Sequence, residues 1–183
     1  MALPGTLKES AYMNPQSVVY FTRDISPESL VKIYEALGVD LPGKVMVKIS
    51  SGEPGGHHFL SPDLIAPLVK KVNGTICDAN TAYEGKRHRT RDHRQTMHDH
   101  GFDAIAPTDI LDATGDKAVP VRNGYHLEEV RIGNQTDLYD SVLVLSHFKG
   151  HAMAGFGGAL KNVAIGMASA AGKALVHTAG KSD

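Results

Sequence analysis

The sequence has one cysteine, Cys77, no tryptophan, and only five phenylalanines and six tyrosines in 183 residues. A lone thiol can close no internal disulfide, and it falls short of the four thiolates that hold an iron–sulfur cluster. Such cysteine usage places the protein in the cytoplasm. Net charge is also scarce: 19 Lys and Arg against 20 Asp and Glu leave −1, so no chain-wide basic field draws it to nucleic acid or an acidic membrane. No apolar run approaches the ~20 residues of a membrane span, and residues 1–14 lack the basic start and apolar core of a secretory signal. The length suits one α/β domain and is too short for two well-buried ones. Histidine is what the chain has in excess. Its ten copies are half the number of carboxylates and hint at a metal site or a proton-handling one.

Residues 1–16 carry Pro4, Gly5 and Pro15 without a period and read as a loose leader, leaving residues 17–183 as a single α/β domain. Val18-Val19-Tyr20-Phe21 predicts a first strand. Ser26-Pro27 then sets an N-cap with proline in the first turn; Leu30, Ile33, Tyr34 and Leu37 follow at helical spacing until Gly38 stops them. Residues 44–50 alternate as a strand, Ser61-Pro62-Asp63 opens a helix with Leu64, Leu68, Val69 and Val72 on one stripe, and Thr75-Ile76-Cys77-Asp78 is a further strand. This alternation predicts an α/β fold, a mostly parallel sheet with helices on both faces. Residues 86–101 are helical in composition, and short strands follow near residues 119–121 and 126–132. Val142-Leu143-Val144-Leu145 is apolar on consecutive residues, the pattern of a strand buried on both faces. The chain stops at Gly180-Lys181-Ser182-Asp183 without a closing element, so we expect the N-terminal portion of a longer family domain.

The richest stretch is residues 146–162. It follows the apolar strand and leads into a helix-competent segment, where α/β folds place ligands outside the carboxyl ends of strands. Gly155, Gly157 and Gly158 would let a backbone approach a ligand and leave N–H groups for anionic oxygens, and Lys161 would add a cation or a nucleophilic amine. A dinucleotide motif starting at Gly155 would put its third glycine on Leu160, and Asn162 stands where a Walker A motif needs Ser or Thr. Close packing of helix on sheet accounts for the same glycines. In residues 85–100, His93, Met97 and His100 would share one helical face and Arg87, Arg91 and Arg94 another. That arginine stripe would suit a carboxylate or phosphate, or form a solvated face. His88 is placed to reach the sheet's carboxyl edge. In the loop after the second strand, at most one of His57 and His58 can bind a given ion. Asp78 and Asn80 are better placed polar groups, although Asp78 would also serve as a cap. Cys77 reads as a buried core residue, and no G-x-S-x-G elbow signals a serine nucleophile.

The Ser-His-Phe-Lys start and Gly-Phe-Gly-Gly-Ala-Leu-Lys-Asn end of residues 146–162, with Val19-Tyr20-Phe21-Thr22 and the loop around Ser51-Gly52-Glu53, resemble a bacterial and archaeal family of unknown function. The resemblance spans nearly all of residues 17–183. Members often carry a ferredoxin-like module with two four-iron clusters. This chain has neither the ferredoxin cysteines nor the C-terminal half of such members, so the resemblance implies no iron–sulfur cluster held by this chain alone. A ferredoxin-like module or C-terminal half would then act in trans. At greater distance the chain is similar to the lactate racemase family, in which a histidine precedes a lysine by ten residues across a glycine turn. His151 and Lys161 keep that spacing, His177 follows sixteen residues later, and His88 stands in an earlier loop. The similarity implies that Lys161 anchors a nickel-pincer nucleotide, His177 ligates nickel or another transition metal, and His88 with His151 shuttles a proton. Ser50-Ser51-Gly52-Glu53-Pro54 replaces that family's substrate-holding Asp-x-Thr-Arg-Pro loop. The resulting expectation is a metal or anionic cofactor bound at the sheet edge, and racemase- or isomerase-like proton transfer on a small carboxylate. The other reading is a non-catalytic electron-transfer accessory or docking partner of a ferredoxin-type protein.

Overall fold

The computed structural model describes residues 17–152 and 154–180, so the expected leader at residues 1–16 lies outside the described residues. The first helix, α1 (Pro27–Leu37), forms as its caps dictate. Ser26 accepts the Ser29 N–H at 3.2 Å, Pro27 occupies the first turn, and Gly38 ends the helix at φ 61°. The strand expected at Val18-Val19-Tyr20-Phe21 does not form. This run pairs with no strand among the described residues, and Val18, Val19 and Phe21 are exposed. A β-branched sequence becomes a strand only where a sheet edge accepts its backbone.

Four strands make the main sheet: β1 (Val45–Lys48), β2 (Gly74–Asp78), β3 (Thr108–Ile110) and, after the hairpin β4 (Asp116–Pro120) and β5 (Glu129–Gly133), β6 (Ser141–Val144). All pair in parallel, in the order β3-β2-β1-β6. Helices α2 (Pro62–Lys71) and α3 (Thr90–Asp99) are the crossovers from β1 to β2 and from β2 to β3. The chain then returns to the opposite side of β1, so the loops leaving β1 and β6 diverge and open a crevice between their carboxyl ends. A second hairpin, β7 (Lys149–His151) and β8 (Gly155–Gly157), follows β6 and leads into α4 (Ala159–Ala164) and α5 (Ala170–His177).

The continuous apolar run at residues 142–145 is not the doubly buried strand it suggested. It supplies β6, which among the described residues is an edge strand paired with β1 alone, and Val142 stays exposed. The strand buried along its whole length is β1. Its period of two sends Val45 and Val47 toward Ile65, Leu68, Val69 and Met97, with Leu30, Val31 and Tyr34 of α1 packed against the same cluster. Met46 joins Cys77, Ala79 and Leu111 in a separate cluster covered by Tyr139 and Met167. Burial pushes the Cys77 thiol up to about 12, so it is an inert core group rather than a ready metal ligand.

On this second side α5 packs on β5, and Ile132 bridges to Ala168. Gly172 makes that approach possible, because a Cβ there would collide with the Arg131 carbonyl. Gly172→Ala is therefore expected to cost about 1–3 kcal/mol by overpacking. Urea denaturation followed by circular dichroism measures this, and an unchanged midpoint would show that α5 sits less tightly than described.

Candidate functional site

A buried charge pair anchors the crevice. Lys48, fully buried at the end of β1, spends its three N–H donors on the Ile49 carbonyl, on Asp78 Oδ1 at 3.0 Å and on Asn162 Oδ1 at 2.8 Å. Asp78 is equally saturated. Its Oδ1 also takes the Ala79 N–H, and its Oδ2 takes the Ser51 N–H at 2.9 Å and the Ser51 hydroxyl at 2.8 Å, with Arg87 at 3.5 Å. Burial alone would push this carboxyl up, but Lys48, His93 and Arg87 outweigh it and hold it well below the usual range.

Ser51, His93 and Asn80 line up like a nucleophile, base and orienter, with Ser51 Oγ 2.9 Å from His93 Nε2 and His93 Nδ1 3.2 Å from Asn80 Oδ1. The hydrogen-bond directions defeat that role. Asp78 only accepts, so the Ser51 proton points to Asp78 Oδ2 and is not held between Ser51 and His93 Nε2. Ser51 and His93 are also fully buried. The arrangement is a structural relay tying α3 to the sheet.

Above this network lies a cavity of about 320 Å³. Its floor is Lys48, Ser50 and Asp78 at the ends of β1 and β2; Arg87 and Tyr83 enter from the loop before α3, and Ser146 and His147 from the end of β6. Lys149, His151, Gly157, Gly158, Lys161 and Asn162 come from the second hairpin and α4, and Lys173 and His177 from α5. Five cationic side chains thus face two carboxylates, Glu53 and Asp78. Arg87 pairs with both carboxylates, and Tyr83 donates to Glu53 at 2.7 Å. The ammonium groups of Lys149 and Lys161 make no hydrogen bond or close ion pair among the described residues, and the charge of Lys149 helps lower the Glu53 carboxyl. Desolvation and the neighbouring Lys149 push Lys161 below the usual lysine value. Burial pushes Lys173 down to about 8.

Residues 45–183 match the sequence profile of DUF362, a domain of unknown function. The chain belongs to the DUF362 family. No curated protein and no solved structure matches it. The DUF362 match begins on the first residue of β1 and includes every residue that lines the cavity.

Of the residues singled out in this DUF362 sequence, His151, Gly157, Gly158, Lys161 and His177 are brought to one cavity. His88 is not: the turn at residues 85–88 holds its Nδ1 on the Thr81 carbonyl at 2.9 Å, and its neighbour Arg87 faces inward instead. Gly155 sits in the hairpin at φ 75° and is not part of the lining. The arginine stripe breaks up, because α3 begins only at Thr90 and leaves Arg91 and Arg94 exposed while Arg87 is buried before it. His93 and Met97 do form the buried face, and His100 stacks on Phe59 with ring centroids 4.1 Å apart.

Lys48, His147, Lys149, Asn162 and Lys173 line this DUF362 cavity without being among the sequence-based site candidates. Lys48 ends an apolar strand with the parity of Met46, which was the signal that it points inward. Lys173 lies four residues after the cap Ser169, on a helix whose small residues gave no hint of a buried amine. Asn162 closes the glycine segment, where its spacing carries no sign of the buried ammonium it meets. Among the described residues no three His, Cys, Asp or Glu side chains come together to hold a metal by themselves.

Proposed function

We propose that the cavity binds an anionic small molecule or cofactor and that proton transfer on a small carboxylate takes place there. The observation that carries this reading is the pair Lys149 and Lys161: two ammonium groups that line one cavity and repel each other, while Glu53, the carboxylate that Lys149 senses, is hydrogen-bonded to Arg87 and Tyr83. A carboxylate or phosphate between them would recover that repulsion as charge-assisted hydrogen bonds.

The histidines supply proton chemistry. His151 Nδ1 accepts the Ala154 N–H at 3.1 Å; to deliver a proton the ring must first take one at Nδ1 and release that bond, after which His151 serves as the donor. His147, whose buried Nδ1 has no partner among the described residues, serves as the acceptor in place of His88. The donor set fits a cofactor that brings most of its own metal ligands: Lys161 would hold its anionic part and His177 would ligate a nickel or similar ion. When bound, such a group supplies an acceptor for the charge that develops on carbon. The single buried thiol fits a reducing, cytoplasmic setting, and no helix among the described residues is long and apolar enough to cross a membrane.

Calorimetric titration with lactate, pyruvate and inorganic phosphate tests this reading, beside elemental analysis of anaerobically purified protein and deuterium exchange at the α-carbon of lactate. Lys149→Ala and Lys161→Ala are each expected to lower anion affinity roughly tenfold to a hundredfold, the loss of one charge-assisted hydrogen bond. Equal affinity in both variants would refute the anion site.

A second reading rests on a different feature. Phe148 and Phe156 pack with ring centroids 5.6 Å apart yet remain exposed, as does Leu160 at the start of α4. An apolar patch beside Lys149 would suit an acidic ferredoxin-type partner. Phe156→Ser is expected to weaken such docking without altering anion affinity, as measured by surface plasmon resonance against a bacterial ferredoxin.

A further inference from the structure

Besides Lys48, whose donors are spent within the protein, the cavity contains an amine that anion binding does not use. Lys173 is 8% exposed, yet its side chain forms part of the cavity lining. Its Nζ donates to the Asn80 carbonyl at 2.7 Å and to the Ala168 carbonyl at 2.6 Å, and makes no ion pair among the described residues. These acceptors belong to the segments after β2 and before α5, and one carboxylate fixes both segments. Asp112 takes the Asn80 N–H at 2.9 Å on Oδ1 and the Ala170 N–H at 3.0 Å on Oδ2. A neutral amine has two N–H bonds and one lone pair. With two carbonyls engaging the two N–H bonds, the remaining tetrahedral position is left for the cavity.

We propose that Lys173 is a nucleophilic amine that forms a Schiff base with a carbonyl-bearing anion, an oxo acid whose charged end rests on Lys149 and Lys161. The substrate class rests on the anion reading above; the amine's reactivity does not. In the reaction the ammonium first gives up a proton, and Nζ adds its lone pair to the carbonyl carbon. A proton passes from nitrogen to the former carbonyl oxygen, and the resulting hydroxyl leaves as water with the proton first released. An ammonium and a carbonyl thus become an iminium and one water, with charge conserved and no redox partner required.

Burial makes the neutral amine accessible, holding Lys173 near 8 where Asp78 and Asp112 oppose the shift and Lys48 and Arg87 assist it. An unperturbed lysine, near 10.4, offers on the order of a hundredfold less free amine at neutral pH.

The test is reductive trapping on the intact chain with cyanoborohydride, using pyruvate in one arm and propanal in the other, followed by peptide mapping. We expect pyruvate to label Lys173 on the order of tenfold faster than the exposed Lys70 and Lys71, with a rate that rises through pH 8. Lys173→Arg should remove that label while circular dichroism stays native. Because the wild-type map alone decides the site, a misfolded variant does not obscure the result. Label spread over exposed lysines, with Lys173 bare, would overturn the proposal even if anion binding holds. Equal labelling of Lys173 by propanal and pyruvate would keep the nucleophile and remove the anionic substrate class.

Discussion

Asp78→Ala is expected to unfold the protein or to cost about 3–5 kcal/mol, the penalty for stranding a buried charge. Lys48 would keep its ammonium in a fully buried position with only the Ile49 carbonyl and Asn162 to face. The Ser51 N–H and hydroxyl and the Ala79 N–H would lose their acceptor in the same step. Against a total stability of about 5–15 kcal/mol, that removes a large share. Lys48→Met should cost less, because Asp78 would still accept from Ser51 and Ala79 and stand beside Arg87 and His93. Combining Lys48→Met with Asp78→Asn should be milder than the sum of the single changes, since neither partner is then left charged and alone.

The pH dependence has a definite sign. The folded carboxyl lies well below its unfolded value near 3.9, so its contribution is complete above about pH 4 and fades as pH falls through the lower folded value. Urea midpoints between pH 3 and pH 7 read it directly. Wild type should lose stability below about pH 4, and Asp78→Asn should show a flatter acid limb. Equal acid limbs would mean that Asp78 does not carry the sheet edge.

Asn162→Ala is the second large effect, expected at about 2–4 kcal/mol from one lost bond to an ammonium and the Leu145 carbonyl left bare, while the Lys48 carbonyl keeps the Leu145 N–H. Its Nδ2 group donates to the Leu145 carbonyl at 3.1 Å, the Lys48 carbonyl at 3.3 Å and Ser146 Oγ at 3.0 Å, while Oδ1 accepts from Lys48. One amide thereby ties α4 to the ends of both β1 and β6, across the crevice where the sheet order reverses. The neighbouring Lys161 depends on that tie for its place on the cavity wall. Affinity for phosphate or pyruvate should therefore fall as well, although residue 162 is not assigned to the ligand. Thermal denaturation and calorimetry on the same sample separate the two consequences. A variant that loses stability but binds anions as wild type would show that α4 holds its place by other contacts.

Local patterns in the sequence carried much of the fold. Ser26-Pro27 and Gly38 bounded α1, because capping depends on residues within one turn. Strand–helix alternation indicated the parallel sheet, because crossover connections constrain it strongly. The glycine segment pointed to the edge where the cavity opens, and five residues chosen from the sequence, His151, Gly157, Gly158, Lys161 and His177, line that cavity. Val18-Val19-Tyr20-Phe21 and Val142-Leu143-Val144-Leu145 were misread for one reason. Composition states what a strand tolerates, whereas its place at the edge, the centre or outside the sheet depends on partners far away in the chain.

The charge pairing was decided by tertiary structure alone. Lys48, Asp78 and Asn162 are separated by 30 and 114 residues along the chain, so no local window contains the network. The choice between Arg87 and His88 turned on one tight turn, and the buried state of Lys173 on two carbonyls that a distant carboxylate holds in place. Sequence determined which residue types were present and where the backbone could form helix or strand, through forces that act over a few residues. Which charges are neutralised and which are left facing a cavity was set by long-range packing, because Coulomb energy and desolvation depend on distance and burial, not on sequence separation.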